Sequence, residues 1–147
     1  MDNKELLSKM RSDLNVKFCT VDEYKNDNKK TKHVLIIDDD DLSNFVTRKT
    51  LECYELADKI TVFDNPIDSL EYLKTTVTKP DIILLDIKMP VMNGFEFIEE
   101  FNKINCDSTI FILSSSAYSK DKDKAKDKGI KYMSKPLKAS MFQTLLD

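Results

Sequence analysis

No apolar run in this 147-residue chain approaches the ~18 residues that a membrane-spanning helix needs, so the sequence offers no such segment. The opening stretch MDNKELLSKM lacks the apolar core of a secretory signal, and nothing in it points to export. Cys19, Cys53 and Cys106 are odd in number and far apart, with no C-x-x-C pair. That pattern excludes a zinc framework and is expected of reduced thiols in a cytoplasmic protein. A single histidine, His33, stands before an apolar run; it is expected at the surface without a catalytic role. The net charge of −3 supplies no excess of basic residues for nucleic acid.

What is present suffices for one domain. Hydrophobic residues make up 41% of the chain, enough for a core, and 33% are charged, enough for a well-solvated surface. Residues 1–32 read as an extension. Leu6, Leu7, Met10 and Leu14 have the spacing of a short amphipathic helix, and DEYKNDNKKTK after it has almost nothing to bury, as in a linker. From residue 33 to 147 the pattern is regular. The runs VLII, ITVF, IILL and TIFIL, with a weaker IKYM, each precede a segment of helical spacing. Leu42, Phe45, Val46 and Cys53 are expected on one face of the first helix, and Asn65-Pro66 should cap and start the second. Phe97, Ile98, Phe101 and Ile104 mark a third helix after Gly94; Leu137, Met141, Leu145 and Leu146 mark the last. Apolar strands alternating with amphipathic helices require a parallel sheet covered on both faces. The expected fold is a five-stranded, doubly wound α/β domain.

In such a sheet ligands bind beyond the carboxyl ends of the strands, where the connections switch direction. The first strand delivers Asp38 and Asp39 there, the third Asp86, the fourth Ser114 with Ser115 and Ser116, and the fifth Lys135 followed by Pro136. Four consecutive aspartates, Asp38 to Asp41, end the first strand. The first two can share a cation. Asp40 and Asp41 suit the start of the next helix, where the helix dipole favours negative charge. Clustered carboxylates favour a hard, oxygen-preferring ion such as Mg²⁺, with Mn²⁺ as a substitute. With Lys135, that ion would neutralise an incoming phosphoryl group. Asp86, on the central strand, is best placed to act as the nucleophile and form an acyl phosphate.

The set IIDD, LLDIKMPVMNG, ILSS and SKP, in this order, closely resembles the receiver domain of two-component response regulators, a CheY-like or flavodoxin-like fold. The resemblance spans roughly residues 33 to 147, and the block from Asp86 to Gly94 is its most specific part. It implies Asp86 as phosphoacceptor and Asp39 as a direct Mg²⁺ ligand. It also implies Asp38 acting through a metal-bound water and the Lys88 backbone carbonyl completing the protein ligands. Ser114 would hydrogen-bond the phosphoryl group, with Ser115 the alternative in a run of three serines. Lys135 would pair with that group, in a cis Lys135-Pro136 peptide. Tyr132 would be the aromatic switch whose rotation reports phosphorylation.

The implied protein is a single-domain response regulator, cytoplasmic and without membrane or nucleic-acid contacts. It would take its phosphoryl group from a sensor histidine kinase or a histidine phosphotransfer protein and pass the signal to a downstream protein target. It turns over no separate metabolite, so it is not an enzyme in the ordinary sense. Two other readings compete. A haloacid dehalogenase-type phosphohydrolase would use Asp38-x-Asp40, but it needs an acidic pair after Lys135, where only Asp147 stands. A receiver-like binding module that is never phosphorylated would leave the filled site positions idle. One segment departs from the family pattern: SKDKDKAKDKG has Ala125 as its only apolar residue, so a helix there is expected to be weakly held. Its net charge of +2 suits an acidic partner. Lys88, two residues after Asp86, is expected to influence the access of hydrolytic water.

Overall fold

The computed structural model describes residues 5, 32–115 and 119–146. The expected helix around Leu6, Leu7, Met10 and Leu14 lies outside them, as does Ser116. Five strands and five helices alternate: β1 (His33–Ile37), α1 (Asp41–Cys53), β2 (Lys59–Phe63), α2 (Pro66–Thr75), β3 (Ile82–Leu85), α3 (Gly94–Phe101), β4 (Thr109–Ser114), α4 (Ser119–Asp127), β5 (Lys131–Ser134) and α5 (Ala139–Leu146). The strands form one parallel sheet in the order β2-β1-β3-β4-β5. This is the doubly wound architecture expected from the alternation of strand and helix signals.

Because side chains alternate along a strand, each strand feeds two cores. Leu35, Ile37, Ile83, Leu85 and Ile112 point to one face, where Leu70 and Leu73 of α2, Phe97, Ile98 and Phe101 of α3 and Ala125 of α4 close over them. Val34, Ile36, Ile82, Leu84, Phe111, Leu113 and Met133 point to the other, covered by Leu51 of α1 and Phe142 of α5. Full burial on both faces explains why VLII and IILL are unbroken apolar runs. No helix among the described residues is long and apolar enough to cross a membrane.

The helix starts follow their capping chemistry. Asp40 caps α1, its side chain accepting from the Leu42 amide at 3.1 Å. Asn65 caps α2 ahead of Pro66 and accepts from Ile67 and Asp68. Asn93 does the same for α3 with Phe95 and Glu96. The charged segment after β4 is helical over Ser119–Asp127, and Ala125 is fully buried beneath it.

Several expectations from spacing fail in detail. Helix α1 buries Asn44, Val46, Thr47, Thr50 and Leu51, while Leu42 is 42% exposed, Phe45 half-buried and Cys53 exposed. Two of these polar side chains reach backbone carbonyls: Thr50 Oγ1 donates to Val46 within the helix at 3.0 Å, and Asn44 Nδ2 donates to Asp38 before it at 2.7 Å. On α5, Phe142 is the buried anchor and Met141 is exposed, because the helix begins at Ala139 and turns Met141 outward. Ile104 lies beyond the end of α3. His33 is buried, its Nε2 sharing a hydrogen bond with Thr61 Oγ1 at 2.9 Å. Cys106 is free, and Cys19 lies outside the described residues.

Candidate functional site

The sheet register brings the site together. β1 and β3 are neighbours, with Ile37 opposite Leu85, so Asp38 and Asp86 leave adjacent strands at the same level. The Asp86 amide donates to the Ile37 carbonyl at 3.0 Å, and the Asp38 amide to the Phe63 carbonyl at 3.1 Å. From β1 the chain winds outward to β2 on one side and to β3, β4 and β5 on the other. The crevice between β1 and β3 is therefore the switch point. On the next two strands, Ser114 at the end of β4 lies opposite Ser134 at the end of β5, and the Lys135 amide donates to the Ser114 carbonyl at 2.9 Å. The Lys135-Pro136 peptide is cis, as expected.

Carboxylate oxygens of Asp38, Asp39 and Asp86 lie within 4.8 Å of one another. Asp38 is 4% exposed and Asp86 7%, whereas Asp39 is open to solvent. Lys135 Nζ sits 2.5 Å from Asp38 Oδ2 and 3.4 Å from Asp86 Oδ2, crossing from the far side of the sheet. Asp86 Oδ1 accepts the Ile87 amide at 2.9 Å. Burial pushes the Asp86 carboxyl above the ordinary carboxylate range; Lys135 pulls it back, and Asp38 pushes it further up. The Ile87 amide and the Ser114 hydroxyl, both hydrogen-bonded to it, also favour its charged form.

Ser114 is buried and bonded to Asp86, whereas Ser115 is exposed, so Ser114 holds the inward position. Tyr132 is half-buried on β5, packed against the core, with Lys122 Nζ 5.6 Å from its ring centre. Lys88 is exposed just past Asp86. Asp40 is engaged as the cap of α1, which removes it from a catalytic pair with Asp38. An open cleft of about 220 Å³, lined by Asp40, Leu42, Ser43, Val46, Thr47, Lys135 and Pro136, flanks the lysine.

Two contributors had no role assigned from sequence. Asn44 is buried in α1 and donates from Nδ2 to the Asp38 carbonyl at 2.7 Å. An asparagine inside a helical pattern gives no signal of this. Gly94 packs its α-carbon onto the backbone of Asp86 and Ile87: an added Cβ would lie 2.5 Å from the Asp86 carbonyl oxygen and 2.9 Å from Ile87 Cα. Both obstacles are backbone, so nothing yields cheaply. Gly94→Ala is expected to cost about 2 kcal/mol of stability by overpacking, read from urea denaturation.

The fold and the convergence of three carboxylates and a lysine at its switch point define a doubly wound α/β protein with an acidic, phosphoryl-compatible crevice. Comparison with known proteins narrows the class. The model for the response regulator receiver domain matches residues 34–147, and the chain belongs to that family. A chemotaxis protein CheY from Halobacterium salinarum is 29% identical over 119 residues, spanning 79% of this chain and 95% of its own length. The crystal structure of a two-component response regulator from Cytophaga hutchinsonii superposes with a TM-score of 0.72 at 32% identity, covering 80% of this chain and 96% of that one. A protein-glutamate methylesterase/protein-glutamine glutaminase of Clostridium acetobutylicum is 35% identical over 100 residues, which is 67% of this chain and 26% of that protein. The chain spans about a quarter or less of the length of that enzyme and of its counterparts from Burkholderia thailandensis and Treponema pallidum.

Proposed function

We propose that this receiver domain accepts a phosphoryl group on Asp86 from a phosphohistidine of a sensor histidine kinase or histidine phosphotransfer protein, and signals through a downstream protein target. The observation that supports this most directly is Asp86 itself. It is a buried carboxylate at the switch point, with one ammonium and two further carboxylates within reach. In the transfer, an Asp86 oxygen forms a bond to phosphorus while the phosphorus–nitrogen bond of the donor breaks and its electrons return to the imidazole. Lys135 places its charge where the phosphoryl oxygens arrive, and Ser114 supplies a hydroxyl beside them. Positioning and charge compensation are most of what this chemistry requires.

The donor set fits a divalent cation. Three carboxylates face a single ammonium, which leaves excess negative charge, and every available donor is a hard oxygen. Asp39, Asp86 and the Lys88 backbone carbonyl would hold Mg²⁺ or Mn²⁺, with Asp38 acting through a water. The ion supplies charge neutralisation for the phosphoryl oxygens. Tyr132 is the side chain whose position would report the modification. This reading places the protein in the cytoplasm, in a two-component or phosphorelay pathway, and gives it no separate metabolic substrate.

Incubation with acetyl phosphate and Mg²⁺, followed by intact-mass measurement, tests the reading. We expect a gain of one phosphoryl group that EDTA added beforehand abolishes. An unchanged mass across short and long incubations, under conditions that label a known receiver, would favour a module that is never phosphorylated.

A further inference from the structure

Every polar atom of Asp38 is engaged. Its amide donates to Phe63, Oδ1 accepts from the Asp40 amide at 3.0 Å, Oδ2 meets Lys135, and its carbonyl accepts from Asn44. That carbonyl belongs to the peptide group joining Asp38 to Asp39. Its plane therefore sets how the Asp39 backbone departs from β1, and with it the direction of one carboxylate relative to the other. Asn44 is 6% exposed, and its Oδ1 is buried without a hydrogen-bond partner. Such an orphaned oxygen costs about 1–3 kcal/mol, so packing alone would favour an apolar residue there. The amide's orientation is fixed as well, since turning it over would set two oxygens against each other.

We propose that Asn44 is a positioning residue: its side-chain amide clamps the Asp38–Asp39 peptide and holds the two carboxylates in the relative placement that binds a divalent cation. The inference rests on the metal site proposed above and assigns a further residue to it. Without the clamp, the Asp38 carbonyl loses its donor in a buried place, and the peptide is free to rotate. The carboxylates remain, but their convergence with Asp86 is no longer held. Groups that orient metal ligands in this way typically carry about 10- to 100-fold in affinity.

The test is calorimetric titration of the full chain with MgCl₂, comparing wild type, Asn44→Leu and Thr50→Val. Leucine matches the shape of asparagine and removes the orphaned oxygen with the donor; Asn44→Ala serves if leucine is not accommodated. Thr50→Val removes a buried side-chain hydrogen bond from the same helix, one that stays within α1 and away from the carboxylates. We expect Kd to rise about 10-fold for Asn44→Leu and to stay unchanged for Thr50→Val, at a temperature where circular dichroism shows all three folded. Wild-type affinity in Asn44→Leu would overturn the proposal, and so would an equal weakening in both variants, which would trace the loss to the stability of α1. Failure of wild type itself to bind Mg²⁺ would overturn the metal-site reading and this inference with it.

Discussion

Asp86→Asn is expected to abolish the phosphoryl adduct formed with acetyl phosphate and Mg²⁺, while leaving the fold intact and more resistant to heat in EDTA. The first effect follows from chemistry: an amide is no nucleophile toward phosphorus at neutral pH, and among the described residues no other carboxylate shares the position of Asp86 between Lys135 and Ser114. The second follows from its environment. Burial is the largest influence on this carboxyl and raises its pKa, with Asp38 adding to the rise. Between the ordinary carboxylate pKa and the raised value, the folded state binds more protons than the unfolded one, so stability falls as pH rises through that interval. Above it the folded protein carries a charge that burial disfavours. The neutral amide escapes this cost. In EDTA at neutral pH we expect the variant to melt a few degrees above wild type, and the difference to vanish below the ordinary carboxylate range. Equal melting at all pH values would contradict the electrostatic account. A persistent adduct would contradict the assignment of the acceptor.

Lys135→Met has the opposite sign. The ammonium is the only side-chain cation paired with the carboxylates of Asp38 and Asp86 among the described residues. Removing one member of a buried ion pair leaves the other charges uncompensated and typically costs 3–5 kcal/mol. We expect a loss of about 3 kcal/mol in EDTA, read from urea denaturation, and a smaller loss when saturating Mg²⁺ supplies positive charge. The rate of phosphorylation should fall by about 100-fold or more even with Mg²⁺ present, the scale on which removal of one preorganised donor acts. If stability fell equally with and without Mg²⁺, the ion would not share the lysine's surroundings. An unchanged rate would remove Lys135 from the chemistry.

Much of this site was legible in the sequence because a parallel sheet gathers strand ends at one edge. Once VLII, IILL, TIFIL and IKYM are read as strands, Asp38, Asp86, Ser114 and Lys135 are placed by counting to the end of each run. Three successive serines carry no register; in the structure Ser114, at the end of β4, is buried and Ser115 is exposed. Helix faces were less legible. Spacing of apolar residues favoured Leu42 and Cys53 on α1, yet the buried face carries Asn44, Thr47 and Thr50. Buried polar side chains escape a hydrophobicity pattern when their partners lie on the backbone of the same helix or of a loop six residues away. The tight approach of Gly94 to Asp86 escaped for a related reason: it is a contact between two backbones seven or eight residues apart, and the glycine shows only that some such demand exists.

The central claim is that the reactive carboxylate is that of Asp86. Its most direct test is to phosphorylate the protein with acetyl phosphate and Mg²⁺, reduce it with sodium borohydride, and sequence the resulting peptides by mass spectrometry. Reduction converts an aspartyl phosphate to homoserine and leaves free aspartates unchanged. The account predicts homoserine at position 86 and at no other aspartate. Homoserine at position 38 or 39, with Asp86 intact, would contradict it.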